Sequence, residues 1–169
     1  DFSFFSTVDS NDLNFGRFPE YVTIYASSFA GGASGYPLCF DNIDEFKKGE
    51  ILVRNTNAVQ AIVLNNISKL NSNYFLPYAG FFHESAQRDK YIIKNNNKNS
   101  IDDFENLLKR KNTQCLNILK NDSYSFFGRE IVSSRMLDRE SSSINPEAFM
   151  NKVFSDMNID SDYIHNFFI

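Results

Sequence analysis

Hydrophobic positions along this chain alternate between a period of two and a period near 3.6. DFSFFSTV (residues 1–8), rich in Phe and β-branched residues, reads as a strand. DSNDLN (9–14) is turn chemistry, and YVTIYAS (21–27) alternates as a second strand. From Asn42 to Asn71 the period lengthens, with Val59, Ile62, Val63, Ile67 and Leu70 forming one apolar stripe of a helix. Gly49 is expected to weaken or interrupt that helix, since a mid-helix glycine costs about 1 kcal/mol relative to alanine. NYFLPYAGFF (73–82) predicts a third strand that Pro77 and Gly80 break into a turn. After the polar loop KNNNKN (94–99), Ser100 starts a helix with Asp103 placed for a capping box, and Ile101, Phe104, Leu107 and Leu108 supply its buried face. QCLNIL (114–119) predicts a fourth strand and DRESSS (138–143) a connector. Asn145 as N-cap and Pro146 at the first helical position open a last helix, with Phe149, Val153 and Phe154 facing inward. Strands alternating with helices predict an α/β layered sheet.

Composition narrows the class. The 169 residues are one domain's worth of chain, read here as a single domain over 1–169, and 42% hydrophobic and 15% aromatic content can build a core. A net charge of −4 argues against nucleic acid as a partner, and no apolar run approaches the ~20 residues that span a bilayer. No secretory signal pattern is present. Two cysteines, Cys39 and Cys115, are too few for a disulfide framework. They read as free buried thiols in a reducing compartment, hence a cytoplasmic setting. His83 and His165, the two histidines, have no chelating spacing. The chain opens on DFSFF without Met and closes on HNFFI, so both ends are expected to be cut from a longer protein.

One stretch stands apart. SSFAGGASGYP (27–37) holds three of the seven glycines, Gly31, Gly32 and Gly35, within five positions. It is either a tight strand-to-helix turn or a loop whose bare amides form an anion-binding concavity, with Ser34 adding a hydroxyl donor. On both readings it belongs at the carboxyl end of the 21–27 strand, where α/β sheets bind ligands. At least one of the three glycines is expected at positive φ. The spacing is not that of an ATP-binding loop. RDKYIIK (88–94) sets Arg88, Lys90 and Lys94 around one Asp, either as contacts to an anion or as a solvated run. KRK (109–111) suits the end of a helix.

Several segments together carry a family resemblance: the FAGGASGYP loop (Phe29–Pro37), the PYAGFF turn (Pro77–Phe82), DKYII (Asp89–Ile93) and NKN before a helix (Asn97–Asn99). GREIVSSRML (128–137) is a looser match. In this order they resemble the CMP-N-acetylneuraminic acid hydroxylase family, clearest over residues 20–140. The resemblance implies the second half of a metallo-β-lactamase-like αββα sandwich, and a substrate that is an anionic nucleotide sugar. It implies a monooxygenase converting the N-acetyl group of CMP-sialic acid to N-glycolyl, with a Rieske iron–sulfur cluster and a further metal in the full-length family. A Rieske centre takes two Cys and two His, and neither cysteine here has a C-x-H or C-x-x-H companion. The H-x-H-x-D-H metal motif of the lactamase fold is absent too. No cofactor is therefore expected on this chain by itself, which would depend on a missing N-terminal half or an electron-transfer partner.

The resemblance assigns roles by position. Asp9, after a strand, is the candidate metal ligand; Tyr78 and His83 are the catalytic candidates. Gly31, Gly32, Ser34, Gly35, Arg88 and Lys90 are the substrate-binding candidates. Two alternatives stay open, a metal-dependent lactonase-like hydrolase and a non-catalytic nucleotide-sugar-binding module.

Overall fold

The computed structural model describes residues 1–7, 17–30, 35–82, 84, 89–136, 145, 148 and 152. Four short strands run parallel in chain order: β1 (Phe4–Ser6), β2 (Ile24–Ser27), β3 (Tyr74–Pro77) and β4 (Gln114–Cys115). The ladders set Phe5 beside Tyr25, Tyr25 beside Phe75, and Phe75 beside Cys115. Parallel strands need crossovers. Among the described residues two are helical, α1 (Glu45–Leu70) between β2 and β3, and α2 (Lys90–Asn95) with α3 (Ile101–Leu108) between β3 and β4. β5 (Asn121–Phe127) and β6 (Glu130–Met136) form an antiparallel hairpin. Of its two turn residues only Gly128 has positive φ, +60°, the preference of a type II′ turn.

Alternation along the strands divides the core between two faces. Tyr25, Phe75 and Cys115 point to α1 and α3, packing on Val63, Ile67, Leu70, Ile101, Phe104 and Leu108. Ile24, Tyr74 and Leu116 point the other way, where Tyr124, Phe126 and Ile131 of the hairpin cover them. The Tyr74 hydroxyl also accepts a hydrogen bond from the Ile131 amide at 3.2 Å. On the helix side a buried polar link crosses the core. Asn66 of α1 donates to the Tyr25 hydroxyl at 3.0 Å, which meets Thr7 Oγ1 at 2.8 Å.

α1 runs unbroken through Gly49. Its start is capped by Asp44, whose carboxylate accepts from the Lys47 amide at 2.9 Å; its end is the left-handed Asn71, φ 43°. The expected interruption does not occur because Gly49 is exposed and a single glycine is a small cost against the packed stripe farther along. That stripe is Val63, Ile67 and Leu70, with Val59 partly buried against the same core; Ile62 lies outside it, 37% exposed. A methyl group on Gly49 would meet nothing within 4 Å. Gly49→Ala should therefore stabilise the protein by about 0.5–1 kcal/mol in denaturant unfolding; a loss of stability would contradict this account.

Other expectations shift. β4 is only two residues long, because Asn117 ends it by accepting from the Leu119 and Lys120 amides at 3.0 and 3.2 Å. The full capping box at Ser100 and Asp103 is present. Leu107 is exposed, whereas Ile101, Phe104 and Leu108 are buried. Cys115 is buried as expected, but Cys39 is exposed, and both are free. Asn145 accepts from the Ala148 amide at 3.2 Å, as its N-cap role requires. The inward residues of that helix, the 9–14 turn and the 138–143 connector lie outside the described residues. Among the described residues no helix is long and apolar enough to cross a membrane.

Candidate functional site

All four parallel strands point their carboxyl ends at one rim, so the loops after β2 and β3 must emerge side by side. They are tied together at once. Tyr78 N–H donates to Ser27 O at 2.9 Å, and Phe29 N–H donates to Ala79 O at 3.3 Å. The Phe29 and Phe81 rings pack edge to face at 5.0 Å. After Pro77 the chain takes two consecutive positive φ values, Ala79 at +63° and Gly80 at +119°, and turns back toward the β2 loop. The PYAGFF turn thus lies beside the start of the glycine loop.

The far limb of that loop rests on α2. Gly35 approaches Ile92 so closely that a methyl group on it would lie 2.8 Å from Ile92 Cδ1. Its φ is not positive and its constraint is space; the expected positive φ among the three loop glycines then falls to Gly31 or Gly32, outside the described residues. Gly31, Gly32 and Ser34 lie outside the described residues, as do Asp9, His83 and Arg88. Tyr78 is 53% exposed at the rim, and Lys90 opens α2, also exposed.

α2 is held by a cluster that sequence reasoning did not single out. The Tyr91 hydroxyl donates a short hydrogen bond to Glu45, and Lys48 donates to Glu45 at 2.9 Å, its ammonium 5.2 Å from the Tyr91 ring centre. The hydrogen bond from Tyr91, then that from Lys48, holds the Glu45 carboxyl below its usual range; the bond to Glu45 pushes Tyr91 and Lys48 up.

A second tether, also missed, joins the β3 loop to the NKN segment. Lys98 donates to both Glu84 oxygens, at 3.3 and 3.4 Å, and to Phe82 O at 3.1 Å. Asn96 adds a bond to Glu84 at 3.3 Å. The two charged side chains are 13% and 10% exposed. Burial alone would raise the Glu84 carboxyl, but its own backbone amide, Lys98 and Asn96 together hold it below its usual value. Asn99, buried, bonds Gln60 at 2.8 Å and Thr56 O at 3.1 Å, fixing the segment to α1. For Lys98 and Asn99 the signal was their place in the NKN motif; Glu84 and Asn96 carried none.

The residues present do not fit an iron–sulfur cluster. Its thiolate ligands would have to come from Cys39 and Cys115, and burial among apolar side chains pushes the Cys115 thiol up to about 12. Among the described residues no three of His, Cys, Asp and Glu gather as a metal site would require. Two adjoining clefts, of about 600 and 340 Å³, lie at the opposite rim, lined in common by Asn73, Leu108, Lys111, Asn112 and Thr113.

The class defined by this geometry is an α/β protein whose parallel sheet delivers two glycine-containing loops to one carboxyl rim. The chain belongs to the cytidine monophosphate-N-acetylneuraminic acid hydroxylase family. It is 36% identical over 113 residues to the cytidine monophosphate-N-acetylneuraminic acid hydroxylase of Mus musculus, covering 66% of this chain and 19% of that protein. The Danio rerio hydroxylase is 33% identical over 116 residues, 68% of this chain and 19% of its own. The Homo sapiens protein, named an inactive hydroxylase, is 34% identical over 105 residues, 61% of this chain and 21% of its own. The chain thus spans about a fifth of the length of the curated relatives it matches. No family model matches it, and no solved structure matches it.

Proposed function

We propose that this chain forms the substrate-side part of a CMP-N-acetylneuraminic acid hydroxylase-type monooxygenase, and that its carboxyl rim holds an anionic nucleotide sugar. One observation carries the reading: the two most distinctive motifs, FAGGASGYP and PYAGFF, meet at that rim through the Phe29–Ala79 hydrogen bond. In this proposal the amides of Gly31, Gly32 and Gly35 and the Ser34 hydroxyl receive the phosphodiester or the carboxylate. Arg88 and Lys90 add charge, Tyr78 and His83 stand at the reacting group, and Asp9 is a metal ligand. The iron–sulfur cluster is supplied from outside these residues, so this chain binds but does not hydroxylate alone. The parallel sheet with helices on one face and a hairpin on the other suits one half of a metallo-β-lactamase-like sandwich, in a cytoplasmic protein.

Calorimetric titration with CMP-N-acetylneuraminic acid tests the reading on the 169-residue chain. Each charge-assisted hydrogen bond removed should cost about 1.5–3 kcal/mol, so Lys90→Ala should weaken binding by roughly 10-fold or more. Gly32→Val, which adds a branched side chain to the proposed amide cradle, should do the same. Equal affinity in wild type and both variants, or no binding by the wild type, would reject the site.

A further inference from the structure

Gly80 is not among the residues assigned to ligand above, yet its backbone lies hard against the start of the glycine loop. A methyl group there would lie 2.9 Å from Ala30 Cβ, 3.0 Å from the Ala30 amide nitrogen and 3.2 Å from Phe29 Cε1. Real side chains almost never come so near, and φ of +119° excludes an ordinary L-residue as well. The Ala30 nitrogen is backbone and cannot swing aside. At Gly35 the obstructing atom is Ile92 Cδ1, the free end of a flexible side chain, which can rotate away. The two glycines therefore differ in kind, one a hard spacer and the other a soft one.

We propose that Gly80 is a positioning residue: by lacking a side chain it lets the PYAGFF turn close on Phe29 and Ala30, and so sets where the chain enters the glycine loop. Ala79 at φ +63° presents its carbonyl to Phe29 N–H only if the next residue can pass beneath Ala30. The contact couples two segments fifty residues apart in the chain without either touching ligand through Gly80 itself. This inference rests on the reading of the rim as a ligand site, and its test separates the two.

Three variants suffice: Gly80→Ala, Gly35→Ala and the double variant Gly80→Ala/Ala30→Gly. Amide proton–nitrogen spectra of the ligand-free chain come first. In Gly80→Ala the signals of Phe29 and Ala30 should move while those of Tyr25, Phe75 and Cys115 hold, whereas Gly35→Ala should leave Phe29 and Ala30 in place. Affinity for CMP-N-acetylneuraminic acid should fall by about tenfold or more in Gly80→Ala, since displacing a binding group by an ångström has effects of that order. The double variant removes the 2.9 Å clash and keeps the amide one, so signals and affinity should return partway. If Gly80→Ala fails to fold, the double variant carries the comparison, with Ala30→Gly alone as its reference. Unmoved Phe29 and Ala30 signals would overturn the proposal whatever the ligand does, and so would moved signals with unchanged affinity. Moved signals in a chain whose wild type binds nothing would support the positioning contact and overturn only the ligand reading.

Discussion

Replacing Phe104 with alanine should destabilise the protein by about 3–5 kcal/mol, a large share of the stability of a domain this size. Phe104 is fully buried and has aromatic neighbours on two sides, Phe75 at 5.2 Å and Phe29 at 6.5 Å between ring centres. Phe75 belongs to the central strand β3, and Phe29 begins the glycine loop. Truncation would remove the support common to sheet and rim, and the surrounding residues, fixed in ladders and helices, can only partly collapse into the space. Chemical denaturation with an unchanged slope and a lowered midpoint is the expected result. A cost under about 1 kcal/mol would mean that Phe104 is not the keystone its burial implies.

Lys98→Met comes next. It leaves the Glu84 carboxylate nearly enclosed with Asn96 as its remaining side-chain partner among the described residues. The contacts of 3.3 and 3.4 Å are long, so the expected cost is about 2 kcal/mol, between the values of exposed and fully buried pairs. Adding Glu84→Gln should recover much of the loss, because the stranded charge goes with it. The pH dependence follows from the depressed carboxyl. A group whose folded pKa lies below its unfolded value, about 4.3 for Glu, contributes stability fully above that value and loses it as pH falls through the folded one. Acid titration of the unfolding midpoint should therefore be steeper below about pH 4.3 in the wild type than in Lys98→Met. Identical acid limbs would remove Glu84 from the account.

Much of this fold was legible because periodicity reports burial. The α1 stripe and the Ser100 cap announce their helices, and Tyr25 and Phe75 alternate as buried strands do. The hairpin was not legible: β6 is Ser-rich and exposed along most of its length, so its alternation is faint. α2 buries no residue and depends on the Tyr91 cluster and on Ile92 against Gly35, tertiary contacts that no local pattern announces. At the site, the family and the place of the glycine loop after the second strand could be read ahead of the structure. The functions of Gly80 and Lys98 could not, since a spacer and a tether are defined by what stands opposite them.

The all-parallel sheet also governs how the chain can reach this state. No two of its strands can be joined by a tight turn, so each pairing waits until an intervening segment has looped back. Such non-local closure belongs to the slower regime of folding. The β5–β6 hairpin is the opposite case, since its register starts at a two-residue turn and hairpins close within microseconds. Its inner face, Tyr124, Phe126 and Ile131, has nothing to cover until Tyr74 and Leu116 arrive. The last segment of the described fold can thus be the first to form, and it stays greasy and unprotected while the sheet assembles.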